Sequence, residues 1–110
     1  MNQIIRKSID LKQGPSGRAI AQPMDSSLIN ALYEHITIER SASAQYFAMS
    51  LWFLERELRG FSSFFMKESI SEQEHASGFA NYLIARGQTV VLEDLSSPTQ
   101  NYDSILDIIK

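Results

Sequence analysis

At 110 residues with a formal net charge of −3, the chain has the size of one compact domain. Hydrophobic residues make up 44% and charged residues 21%, which excludes global disorder and collagen-like repeats. The acidic balance argues against the basic surface that nucleic acid or an anionic membrane requires. Zero cysteines exclude a disulfide scaffold, a thiolate zinc site, an iron–sulfur cluster and a cysteine nucleophile.

Residues 1–24 carry Gly14, Pro15, Gly17 and Pro23 with little periodicity, which predicts an extended arm that makes no core. Its start lacks the apolar stretch of a secretion signal, so a cytoplasmic protein is expected. The most apolar window, Tyr46 to Leu54, is roughly half of a membrane span and is closed by Glu55, Arg56 and Glu57. At Met24-Asp25-Ser26-Ser27 residues suited to capping free amides precede a long stretch without Gly or Pro. A helix is expected from about Ser26 to about Glu57, roughly 45 Å long, with Gly60 as its break.

A second long helix is expected from Phe61 to Arg86, and Gly87 stands where a left-handed residue usually ends a helix. Residues 88–100 then break the periodicity and read as a long connection. A cap-like cluster, Asn101-Tyr102-Asp103-Ser104, precedes Ile105, Leu106, Ile108 and Ile109, the opening of a third helix.

At 100° per residue, Leu28, Leu32, Tyr46 and Phe53 lie within about 40° of Glu39, and Phe61, Phe65, Ala76, Phe79 and Leu83 within about 40° of Glu72. His75 lies at about 60° on the same side. Burying ionised carboxylates without compensation costs several kcal/mol or forces protonation. Arg40, Arg56, Arg59, Lys67 and Arg86 do not obviously share these stripes, so an internal salt bridge answers the cost less well than a metal cation. Glu72-x-x-His75 puts a carboxylate and an imidazole on one side of a helix, converging with Glu39 on an antiparallel neighbour. Carboxylate with imidazole suits iron.

The run Ile38-Glu39-Arg40-Ser41-Ala42-Ser43-Ala44-Gln45-Tyr46-Phe47-Ala48-Met49-Ser50, followed by Ser71-Glu72-Gln73-Glu74-His75-Ala76, resembles the first two helices of a ferritin, a variant of the di-iron carboxylate bundle. The likeness extends from about Asn30 to Asp103, and the arm with Gly-Pro-Ser-Gly-Arg-Ala is similar to cyanobacterial and plant-type ferritins. It implies an all-α, ferritin-like antiparallel four-helix bundle. This chain would supply the first two long helices, the long crossover connection and the start of a third: an arm over 1–24 and an incomplete di-iron domain over 25–110. The resemblance implies Fe(II) oxidation by O2 or peroxide at a di-iron ferroxidase centre, for iron storage and detoxification in a shell-forming homo-oligomer. Glu39 would bind one iron, Glu72 bridge the two, and His75 bind the first, while Tyr46 matches the tyrosine that hydrogen-bonds to the centre or donates an electron. Glu74 reads as a solvated surface charge and His35 as a packing residue. Rubrerythrin is disfavoured for want of cysteines, and neither Met49 nor Met66 can be assigned the haem-binding role of bacterioferritin.

Two long helices and a stub leave the apolar stripe, including Leu32, Phe53, Phe61, Phe65 and Phe79, open beyond what soluble monomers usually tolerate. A ferritin truncated after the start of its third helix is the preferred explanation. The alternatives are a genuinely short hairpin that dimerises to complete a symmetric di-iron site, and an inactive interaction module with relic ligands.

Overall fold

The computed structural model describes residues 23–109, which hold three helices: α1 (Ser26–Glu55), α2 (Arg59–Ala85) and α3 (Ile105–Ile109). Most of the expected arm, residues 1–22, lies outside the described residues. Its end does join the core, contrary to expectation, because Met24 packs against the buried residues at the start of α1.

Asp25 caps α1, accepting the Leu28 amide at 3.4 Å and the Ser27 hydroxyl. These hydrogen bonds, that from Ser27 first and that from Leu28 second, hold its carboxyl below the ordinary carboxylate value. The first helix ends two residues earlier than its periodicity suggests. Leu58 N–H bonds Phe53 C=O and Glu57 N–H bonds Leu54 C=O, a Schellman closure in which Glu57, at φ 60°, takes the left-handed place usually given to glycine. Gly60 is therefore not the break. It lies inside α2, where it needs no unusual backbone. At the end of α2 the same closure recurs in its usual form: Gln88 N–H bonds Leu83 C=O, and Gly87 has φ 83°.

The hairpin is zipped by serines seven residues apart. Ser43 Oγ donates to Ser69 C=O at 2.8 Å and Ser69 Oγ to Ser43 C=O at 2.7 Å. One step along, the buried Ser50 and Ser62 hydroxyls meet at 3.2 Å. Small side chains let the backbones approach, and the reciprocal bonds satisfy hydroxyls that burial would otherwise penalise.

Apolar clusters flank the middle of the hairpin. Tyr33, Ile36, Ala76 and Leu83 form one, and Trp52, Phe53, Phe65 and Ile108 the other. Phe53, fully buried, stacks on Phe65 with centroids 5.5 Å apart, and burying such a side chain is worth about 1.5–3 kcal/mol. The α3 stub contributes Ile108 and Ile105 here, so Phe53 and Phe65 are not part of the open stripe as expected. Leu28 and Phe61 remain 45% and 43% exposed.

Between α2 and α3 the chain returns along α1. Tyr33 donates its hydroxyl to Thr89 C=O, and Arg40 Nη1 donates to Glu93 C=O at 2.8 Å. Gln45 grips Thr99 at both ends, donating to its C=O at 2.9 Å and accepting its N–H at 3.0 Å. The Gln45 amide also donates to the Tyr102 hydroxyl. No strand is present among the described residues, and none of their helices is long and apolar enough to cross a membrane.

Candidate metal centre

Glu39 and Glu72 sit at the middle of α1 and α2, between the two apolar clusters, because each continues its helix's inward stripe. His75 follows Glu72 by one turn on the same side. One ligand atom from each of Glu39, Glu72 and His75 lies within 4.8 Å of the others. His75 Nδ1 is 3.4 Å from Glu39 Oε2 and 3.8 Å from Glu72 Oε2.

Those separations exceed a well-formed hydrogen bond, and Glu39 Oε2, shielded from solvent, has no hydrogen-bond partner. An acceptor left in that state costs about 1–3 kcal/mol. The expected competitors lie elsewhere: Arg40 serves the Glu93 carbonyl, Arg56 sits 3.7 Å over the Trp52 ring, and Arg86 donates to the Tyr82 hydroxyl. A first-row divalent ion bound at roughly 2.0–2.2 Å holds its donors about 3–4.4 Å apart, the scale seen here. Two carboxylates and an imidazole therefore fit an iron ion, and the orphaned oxygen is the atom that such an ion would satisfy. The Glu39 and Glu72 side chains are 17% and 22% exposed, whereas His75 is 55% exposed, so the group is open on one side.

The other residues singled out from sequence fall outside this group. Tyr46 is half-buried, its ring stacked on Phe65 at 5.9 Å. His35 is exposed and leans on Phe79, with ring centroids 5.5 Å apart. Glu74 is exposed. Sequence reasoning missed Tyr33, Arg40 and Gln45, which guide the crossover, and the serine zipper. The seven-residue spacing of Ser43 with Ser50 and of Ser62 with Ser69 was the available signal for the latter.

The family described as a ferritin-like domain matches residues 29–110, and the chain belongs to that family. It is 30% identical over 87 residues to the bacterial non-heme ferritin of Campylobacter jejuni, covering 79% of this chain and 52% of that protein. The bacterial non-heme ferritin of Staphylococcus epidermidis is 26% identical over the same shares. Among solved structures, the open pore ferritin of Archaeoglobus fulgidus superposes with a TM-score of 0.73 at 25% identity, over 79% of this chain and 53% of that one. The ferritin of the green alga Ulva pertusa does so with a TM-score of 0.65 at 34% identity, over 68% and 40%. The chain spans about half the length of the curated relatives it matches, and it holds the first two long helices of their four-helix bundle, the crossover and the start of a third.

Proposed function

We propose that residues 25–110 are the iron-binding half of a ferritin-like di-iron domain that takes part in iron storage and detoxification. Glu39, Glu72 and His75 bind Fe(II) as substrate, with Glu39 and His75 on one iron and Glu72 shared between two. Each Fe(II) gives up one electron, so a pair reduces O2 and two protons to hydrogen peroxide, or reduces a peroxide already present. Carboxylate donors favour the product, because the harder Fe(III) gains more from oxygen ligands than Fe(II) does. Tyr46, two turns along α1 from Glu39, supplies a further electron in this reading. Oxidised iron then moves on to a mineral held by a homo-oligomer in the cytoplasm.

The observation that carries this reading is the convergence of three ligand atoms on a carboxylate oxygen with no other partner. The test is an anaerobic Fe(II) titration followed by admission of air. Saturable binding, and near-ultraviolet absorbance that grows only with oxygen and is lost in Glu39→Gln and His75→Ala, are expected. Identical iron oxidation in those variants and the parent would refute it.

A further inference from the structure

We propose that Trp52 and Tyr102 continue from Tyr46 as an electron path, which draws oxidising equivalents away from the Glu39, Glu72 and His75 group and delivers them to the crossover. This rests on the reading in which Tyr46 gives up an electron, and adds where the replacement comes from. The first observation is an unbroken run of ring contacts on one side of the group. Tyr46 stacks on Phe65 with centroids 5.9 Å apart, and Phe65 on Phe53 at 5.5 Å. Phe53 meets Trp52 edge-on at 5.2 Å, and Trp52 meets Tyr102 edge-on at 6.0 Å. These are the separations of touching rings. The cluster on the other side of the group, Tyr33, Ile36, Ala76 and Leu83, is mostly aliphatic.

The second observation is which of these rings can be oxidised. Phenylalanine resists oxidants that remove an electron from indole or phenol, so Phe65 and Phe53 fill the gap and Trp52 is the intermediate stop. It is the single tryptophan of the chain and lies six residues from Tyr46 on α1, about 9 Å along the axis. Tyr33 lies nineteen residues from Trp52 on the same helix, about 28 Å away, and Tyr82 lies toward the far end of α2. Of the four tyrosines, Tyr46 and Tyr102 are therefore the two within reach of the indole.

The third observation is the setting of each stop. The Arg56 guanidinium sits 3.7 Å over the Trp52 ring. Its attraction to the neutral ring turns to repulsion when the ring carries positive charge, so oxidised Trp52 does not retain the vacancy. Tyr102 does. Its hydroxyl donates to Thr99 C=O at 3.0 Å and accepts from the Gln45 amide, and Thr99 and Gln100 beside it are exposed, so its proton leaves to water there. In the first step Fe(II), hydrogen peroxide, the Tyr46 phenol and a proton give Fe(III), two water molecules and the Tyr46 phenoxyl radical. Trp52 then passes an electron to Tyr46, which regains a proton, and Tyr102 passes an electron to Trp52 and releases a proton. The Tyr102 phenoxyl takes an electron and a proton from a one-electron reductant of the thiol or ascorbate class.

Two measurements test the path. Azide radical from pulse radiolysis oxidises indole in preference to phenol and needs no iron. In the metal-free chain the indolyl absorbance should decay as phenoxyl absorbance grows, at a rate independent of protein concentration, and Tyr102→Phe should slow that growth by an order of magnitude or more. Transfer at the parent's rate in Tyr102→Phe, or a rate proportional to protein concentration, overturns the path. In the second, the chain loaded with Fe(II) receives hydrogen peroxide and a nitroso spin trap, and the adduct is mapped by peptide mass spectrometry. The trap should mark Tyr102 in the parent, and Tyr46 in its place in Trp52→Phe; helical circular dichroism confirms that both variants fold. Iron oxidation with the trap on Tyr46 alone in the parent, or with Tyr102 marked equally in Trp52→Phe, overturns the path and leaves the iron reading intact. An absence of iron binding and oxidation overturns the iron reading, and with it the source of the oxidising equivalents.

Discussion

Glu39→Gln separates what the carboxylate costs from what it does. In the parent, Oε2 is shielded, lacks a hydrogen-bond partner and faces His75 at a distance too long for a good bond. An unsatisfied buried acceptor costs about 1–3 kcal/mol, and the 17% exposure of this side chain and its imidazole neighbour place the cost near the bottom of that range. An uncharged amide of the same shape avoids the desolvation of a carboxylate. Metal-free Glu39→Gln should therefore be more stable by about 1 kcal/mol, a rise in Tm of about 4–8 °C for a domain of this size. Metal affinity moves the other way. Disturbing a partner of a ligand typically costs 10–100-fold, so loss of the ligand itself should weaken binding by at least about 100-fold. Saturation to about 100 times Kd stabilises the parent by about 2.7 kcal/mol, more than the variant's advantage. The order of the two melting curves should thus invert between chelator and Co(II), read by circular dichroism. A variant that melts below the parent in chelator would refute the reasoning, because it would make the carboxylate a structural element satisfied within the protein.

Other consequences are equally direct. Glu57→Gly relieves a left-handed φ of 60° and sacrifices only an exposed ion pair with Arg59; chemical denaturation should show a gain of about 1 kcal/mol. Gln45→Ala frees the Thr99 amide that its Oε1 accepts, so hydrogen exchange at Thr99 should accelerate at least tenfold while overall stability falls by about 1 kcal/mol. Asp25 has its carboxyl held low by the Ser27 and Leu28 hydrogen bonds. The stability it adds is therefore present above the ordinary carboxylate value of about 4 and is lost as pH falls through its lowered folded value. Asp25→Asn keeps a capping oxygen and should flatten the acid limb of a Tm-against-pH curve, while leaving its neutral region nearly unchanged.

How far the sequence could be read depends on what each feature rests upon. Glu39, Glu72 and His75 were legible because a 3.6-residue period fixes which side of a helix a residue occupies, and a carboxylate in an apolar stripe is conspicuous. Gly87 was legible because glycine is the usual left-handed closure. The turn at Glu57 was not, since glutamate carries no such signature, and Gly60 drew the boundary away from it. The serine zipper escaped for a similar reason: Ser43, Ser50, Ser62 and Ser69 read as neutral helix residues until α2 is laid against α1 and their hydroxyls meet. The burial of Phe53 and Phe65 was hidden too, because it depends on where the crossover delivers Ile108.

That delivery follows from simple geometry. Taking Glu39 as zero, Tyr33 and Arg40 stand at about 120° and 100° around α1, Gln45 at about 240° and Phe53 at about 320°. The crossover meets Arg40 at Glu93 and Gln45 at Thr99. Between those anchors α1 rises only about 7.5 Å, whereas six extended residues reach up to about 20 Å. The surplus length goes around the helix, through the roughly 140° that separates Arg40 from Gln45. From there the chain runs along α1 to Trp52, at about 220°, where Tyr102 packs edge-on at 6.0 Å, and then turns onto the inward side at Phe53, where Ile108 packs. Thus α3 arrives on the face that carries Glu39. The polar anchors on the back of α1 decide which apolar residues on its front are covered, and they leave the half-buried carboxylates beside an open surface.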